Sequence, residues 1–284
     1  MAASTDFEPK SATVDGTEIT FYDSGDEHGR PGDTVVLVHG TGGTARSHFG
    51  FLYPVLATKQ RTIAVDWAQT SEGAGDLTVE ALAGQVAGVI ERAAPGGKVV
   101  LLGYSLGAVV AAQLAAARPD LVGRLVLVAG WQKTDIQQIL RNDTWWALRK
   151  ADTTGLQRFT GFCVYSGAFL TGQPKEQLEE ALGRISFGSF GDQQMDLNRR
   201  VDITELTPTI EQPTLIVSGT ADIMVPAHHQ RALFGSIPNS RLADVDSGHG
   251  IVHERPAELS HHVQRFIDDP ESHPAGTIIP RPGS

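Results

Sequence analysis

The sequence predicts an α/β protein: a mostly parallel, doubly wound sheet flanked by helices, with a helical segment inserted after the strand at 123–130. Three observations carry that prediction. Continuous apolar runs rich in β-branched residues recur at 34–40, 61–67, 98–105, 123–130 and 213–220, as expected of strands buried on both faces. Helical patterns separate most of them, and strand–helix alternation is the signature of a doubly wound sheet. The alternation then breaks over 131–207, which reads as helical and contains no strong apolar strand.

Taken in order, the chain opens with alternating apolar and polar residues around Asp15-Gly16, a dipeptide that tolerates positive φ and closes a two-residue hairpin. "DEHGRPGD" (26–33) is read as a loop. The run "TVVLVHG" (34–40) is the first buried strand and "RTIAVDW" (61–67) the second. Val79, Leu82, Val86 and Ile90 share one helical face behind the capping residue Thr78. "KVVLLGYS" (98–105) leads into "LGAVVAAQLAAARP" (106–119), apolar on nearly every side and therefore a helix buried against the sheet. The insertion holds nine of the chain's 19 Phe, Trp and Tyr residues, so it reads as a cap over the strand ends, with three or four of its aromatics facing a pocket and the rest packing the cap. Strand 213–220, helix 226–236, strand 240–247 and helix 254–268 complete the pattern. The expected organisation is a core of 1–130 and 208–268, a helical cap of 131–207, and a flexible tail of 269–284 rich in proline and glycine.

Composition excludes several classes of function. With 284 residues, 40% of them hydrophobic, the chain can bury a large core. Lys and Arg number 23 against 33 Asp and Glu, and this net charge of −10 disfavours a phosphate backbone, so no nucleic-acid partner is expected. No run of 18 apolar residues occurs and the N-terminus is polar, so neither a membrane partner nor a secretory signal is expected, and a cytoplasmic location is the simplest reading. Cys163 is the single cysteine, which precludes an internal disulfide. The oligomeric state is left open.

The chemistry centres on Gly103-Tyr104-Ser105-Leu106-Gly107, a G-x-S-x-G between a predicted strand and a predicted helix. That context presents the Ser105 hydroxyl on a strained turn, with glycines that let strand and helix cross closely. A serine nucleophile needs a base, and the base needs a carboxylate to orient it. Of ten histidines, His249 in "DSGHG" lies in a glycine-flanked loop after a strand, whereas His228-His229 and His261-His262 read as helix surface. Asp222 in "GTADIMVP" is the favoured orienter; Asp135, after the strand at 123–130, is the alternative, and Asp246 reads as structural. "HGTGG" (39–43) supplies a loop whose Thr41 N–H, with that of Leu106, would stabilise an oxyanion, while His39 would fix the loop through hydrogen bonds. The loop is not a phosphate cradle, since no Lys-Ser/Thr follows it, and His249 with His253 lacks the helical H-E-x-x-H of a zinc site. No metal and no cofactor is expected.

Together, "VLVHGTGG", "LLGYSLGA", "PTLIVSGTADIMVP" and "DSGHG", in that order, resemble the α/β-hydrolase superfamily over roughly residues 12–268, and most closely its capped small esterases and chloroperoxidase-like hydrolases. The resemblance implies the α/β-hydrolase fold, a triad of Ser105, Asp222 and His249, and oxyanion donors at Thr41 and Leu106. Many relatives carry a glycine- and arginine-rich turn where this chain has "DWAQTSEGAG" (66–75), so Trp67 and Gln69 are expected to shape the pocket instead. The expected activity is hydrolysis of a small-molecule carboxylic ester with an apolar or aromatic group, contacted by Tyr104, Trp131, Trp145 and Phe162. Thioester, lactone or C–C bond hydrolysis, a cofactor-free lyase, or a non-catalytic ligand binder are the alternatives.

Overall fold

The computed structural model describes residues 6–25, 34–69, 75–151 and 153–281. The loop read at 26–33 and residues 70–74 of the turn read at 66–75 lie outside the described residues. Among the described residues nine strands form one sheet: β1 (Pro9–Val14), β2 (Thr17–Asp23), β3 (Val35–Val38), β4 (Thr62–Asp66), β5 (Val99–Tyr104), β6 (Val122–Val128), β7 (Thr214–Gly219), β8 (Ser240–Val245) and β9 (Ile278–Ile279). Their spatial order is β1-β2-β4-β3-β5-β6-β7-β8-β9. Only the opening hairpin runs antiparallel, β1 to β2 and β2 to β4; every pairing from β4 to β9 is parallel. Asp15 and Gly16 both take positive φ (47° and 80°), the requirement of the two-residue turn.

The core helices are α1 (Ala45–Phe49), α2 (Leu52–Ala57), α3 (Val79–Ala93) and α4 (Leu106–Ala117); the inserted helices are α5 (Ile136–Ala151), α6 (Thr153–Val164), α7 (Gly167–Gly172), α8 (Lys175–Gly183) and α9 (Ser189–Leu197); α10 (Ala227–Ser236), α11 (Ile251–Glu254) and α12 (Pro256–Asp268) follow. The period-2 alternation of each strand sorts its side chains to two cores. Val36, Val38, Leu101 and Ile216 meet α3, α4 and α10 on one face. Val35, Leu37, Val100 and Leu215 meet α1, α2 and α12 on the other. Because both faces are covered, the parallel strands are apolar throughout. The inserted helices lie between β6 and β7, a helical cap with a small cluster of its own built on Trp145, Leu156 and Met195.

One expectation needs correction and one a small shift. The segment from 269 is not a flexible tail over its described part: Ile278 and Ile279 pair with Leu242 and Ala243 as an edge strand, and Arg241 Nε donates to the His273 carbonyl. Proline and glycine there make turns that return the chain to the sheet, rather than preventing order. The helix expected at 254–268 starts at Pro256, and a separate short turn of helix, Ile251–Glu254, precedes it, because Arg255 leaves helical geometry (φ −133°, ψ 49°) ahead of Pro256, in keeping with the bias of pre-proline residues away from the α region.

Candidate active site

The turn from β5 to α4 is built by exclusion. A Cβ on Gly107 would lie 2.1 Å from the Val38 carbonyl oxygen, and one on Gly103 would lie 2.0 Å from that of Gly107. Only glycine permits strand and helix to cross this closely. Ser105, between them, is held at φ 56° and ψ −121°, a region non-glycine residues rarely occupy, and that strain aims its hydroxyl outward from the strand end.

The Ser105 hydroxyl faces the imidazole of His249, with 2.9 Å from Oγ to Nε2. The other nitrogen, Nδ1, donates to Asp222 Oδ2 at 2.8 Å. That partnership fixes the tautomer: Nδ1 carries the proton and Nε2 is free to accept from serine. Asp222 is itself locked, since its Oδ1 accepts the backbone N–H groups of Met224 and Val225, both at 2.8 Å. All three residues are buried. The base loop packs against the acid strand so closely that a Cβ on Gly219 would meet the Gly248 carbonyl at 2.5 Å. The result is a serine–histidine–aspartate triad drawn from the ends of β5, β7 and β8.

The other sequence candidates fall outside it. Asp135 caps α5 through Gln138, and its Oδ2 accepts from His228 at 2.9 Å, so it orients no catalytic histidine. Asp246 is exposed and pairs with Thr220 and Arg281. His229 and His262 are buried, contrary to their reading as surface.

Gly40 and Thr41 border the site cavity after β3. His39 Nδ1 donates to the Gly40 carbonyl at 2.8 Å, and its Nε2 accepts the Trp67 N–H at 3.4 Å, so the ring does brace the loop. Burial holds His39 neutral against the pull of Asp66 and the Gly40 carbonyl. His48, which the sequence did not single out, accepts the Gly40 N–H on Nδ1 at 3.1 Å, and burial drives its pKa well below the usual histidine value, with the neighbouring histidines adding to the effect. Leu106, the first residue of α4, has no intrahelical acceptor for its N–H.

Tyr104, Trp131 and Trp145 line the cavity with Phe159 and Phe187, so four cap aromatics face it. Phe162 does not: its ring is 63% exposed. Along α6 the inward face carries Phe159, Thr160 and Cys163, and Phe162 falls on the opposite side of the helix. Trp67 packs against His39 with ring centroids 4.4 Å apart and planes tilted by 54°, and Gln69 is exposed, so neither lines this cavity.

Two polar clasps attach the cap to the catalytic loops, and no short motif announced either. Gln194 Oε1, from α9, accepts the Gly42 N–H at 2.8 Å, and Asn198 Nδ2 donates to Thr41 Oγ1 at 3.0 Å. At the other end Glu254 accepts the Ser166 N–H (2.8 Å), the Ser166 hydroxyl (2.6 Å) and the Gly248 N–H (3.2 Å), while the Gly250 N–H donates to the Val164 carbonyl at 2.8 Å.

Comparison with known proteins agrees with this geometry. A family model of the α/β hydrolase fold matches residues 33–256. The chain is 28% identical to pyrrolizixenacetamide deacetylase of Xenorhabdus hominickii over 247 residues, which cover 83% of this chain and 91% of that protein. It is 26% identical to the putative carbamate hydrolase RutD of Klebsiella pneumoniae over 228 residues, 77% of this chain and 85% of the relative. Among solved structures, the enol-lactonase from Burkholderia xenovorans LB400 superposes with a TM-score of 0.77 at 20% identity, over 92% of this chain and all of that one. The thermophilic esterase from Thermogutta terrifontis does so with a TM-score of 0.77 at 24% identity, over 93% of this chain and 100% of its own. From the motif order, the sheet topology, the triad and the family match alike, the chain belongs to the α/β-hydrolase fold family.

Proposed function

We propose that the protein hydrolyses a small carboxylic ester whose apolar or aromatic part sits beneath the cap. The carrying observation is the Ser105–His249–Asp222 relay opening on a cavity walled by Trp131, Trp145, Phe159 and Phe187. Ser105 Oγ attacks the acyl carbon as His249 Nε2 takes its proton. Asp222 holds the imidazolium that forms. The N–H groups of Thr41 and Leu106 are assigned to the oxyanion, each contributing about 3 kcal/mol to the transition state. His249 returns the proton to the leaving alcohol, and water on the same base then releases the acid from the acyl-enzyme.

A second reading has one specific observation behind it: the relative from Xenorhabdus hominickii is named as a deacetylase of an acetamide. The same relay would cleave an acyl amide, with His249 protonating the amine instead of an alkoxide. The test is a panel of aryl esters, alkyl esters and N-acetyl amides run against the wild type and Ser105→Ala, with a fluorophosphonate label on the serine. Ester turnover and labelling, both lost in Ser105→Ala, support the first reading. Amide turnover exceeding ester turnover supports the second, and an unlabelled Ser105 with no turnover of any member refutes both.

A further inference from the structure

Three buried donors in the roof of the cavity have no partner within the protein among the described residues: Arg141 Nε, Trp145 Nε1 and Thr160 Oγ1. All three residues line the cavity that holds Ser105. Arg141 and Trp145 stand one turn apart on α5, and Thr160 comes from α6, which packs beside it. Arginine and tryptophan offer donors only, and the threonine hydroxyl can donate as well. Among the described residues the lining contains no aspartate or glutamate, and Arg141 is its one fixed charge. The neighbouring titratable groups supply no counter-charge: burial raises the pKa of the Cys163 thiol and the Tyr104 phenol and lowers that of His48, so all three are neutral near pH 7. Asp222 is engaged by His249 and by two backbone donors. Burial also disfavours the charge on Arg141 itself, despite some relief from Cys163 and Asp222. Arg141 is partly buried, with its Nε sealed from solvent and its guanidinium bordering the cavity, so a ligand that brings an acceptor there supplies a partner this cation lacks in the free protein.

We infer that Arg141, with Trp145 and Thr160, forms a subsite for a carboxylate carried by the substrate. This deepens the ester reading and rests on it for the reaction, but the binding claim can be measured apart from turnover. The substrate class is then an ester with a free acid on its acyl or its leaving part, the apolar body lying against Trp145 and Phe159 and the acid reaching the roof.

The experiment compares matched pairs that differ only in charge: 4-acetoxybenzoate with its methyl ester, and monophenyl adipate with phenyl hexanoate. Wild-type protein is expected to prefer the charged member of at least one pair in kcat/KM. Arg141→Met is expected to reduce that charged-to-neutral ratio about 30-fold, the scale of a charge-assisted hydrogen bond, with Arg141→Lys recovering part of it and Trp145→Phe losing a smaller share. Calorimetric binding of the same pairs to Ser105→Ala, with and without Arg141→Met, repeats the comparison without chemistry. Arg141→Met should also melt no lower than the wild type, because it removes a partly buried cation that has no ion-pair partner among the described residues. An unchanged ratio in Arg141→Met, or a charged ester that binds Ser105→Ala no better than its neutral twin, overturns the subsite. A lower melting temperature with the ratio intact assigns Arg141 to the scaffold of the cap, which overturns it equally. Preferential binding without turnover of any ester keeps the subsite and removes the ester reading.

Discussion

The triad platform and the cap above it are built on opposite principles. In the platform, backbone touches backbone: Gly103, Gly107 and Gly219 each sit where a single added carbon would lie within 2.5 Å of a carbonyl oxygen, and α4 is buried along almost its whole length. In the outer cap, contact is sparser, although Gly161 packs tightly against Leu182 and Trp145, Leu156 and Met195 form a small core. Neither α7 nor α8 buries a residue, and Gly172 and Gly183 face open space. The platform therefore tolerates little change and fixes three side chains to fractions of an ångström, whereas the cap presents a replaceable lining and is secured at a few polar points. The triad belongs to the first region, and most of the aromatics lining its cavity belong to the second.

The sharpest way to break that division is at the serine. Ser105→Ala should reduce ester turnover by about 10⁴-fold or more with the melting temperature within a few degrees of wild type. Turnover that persists would remove the nucleophile assignment. Next in size, Gly107→Ala should yield little folded protein, since the Val38 backbone cannot retreat 1 Å without dislodging β3; a well-folded variant, judged by circular dichroism and yield, would show the platform to be more yielding than described. At the boundary between the regions, Gln194→Ala removes the acceptor for the Gly42 N–H and should lower kcat about tenfold with KM little changed. A change confined to KM would make that clasp part of substrate binding instead.

Acidity probes the platform more gently. His48 is held neutral in the folded protein, while in the unfolded chain its ring takes a proton below about pH 6.5. The unfolded state thus binds more protons as the pH falls, so this contribution to stability is whole above about 6.5 and declines beneath it, by at most about 1.4 kcal/mol per pH unit for one ring. His39 and His262 act in the same direction. The melting temperature should fall between pH 7 and 5, less steeply in His48→Asn; identical slopes would mean that His48 is already charged. The smallest effect belongs to the cap. Gly183→Ala, in open space on α8, should raise stability by about 0.5 kcal/mol, and a marked loss of activity there would contradict the sparse contact described.

The same contrast explains what could be read from the sequence. The platform is written in short local patterns: the apolar strands, the glycines around Ser105, His249 between Gly248 and Gly250, and Asp222 just past β7 all carry their geometry in a few neighbouring residues. The cap's share of the cavity lining and its clasps are written in helical phase and in pairs far apart in the chain. Phe162 and Phe159 differ by three positions, yet one is exposed and the other faces the cavity, and aromatic content alone cannot distinguish them. Gln194 acts on a residue 152 positions away and Glu254 on one 88 positions away, so neither leaves a local signal. The edge strand at Ile278–Ile279 was hidden for another reason, being two apolar residues within a stretch whose prolines and glycines suggest disorder. The two histidines of "HGIVH" were separable, because Gly250 ends the base loop and places His253 on α11, where its Nε2 donates to the Ser47 carbonyl.

The Glu254 clasp has a mechanical corollary. It ties the Ser166 junction of the roof to Gly248, one residue before the imidazole. One carboxylate therefore fixes two junctions at once, the start of α7 in the cap and the backbone beside the base. Roof and catalytic ring thus share a single tether, although Ser166 and Gly248 lie 82 positions apart in the chain.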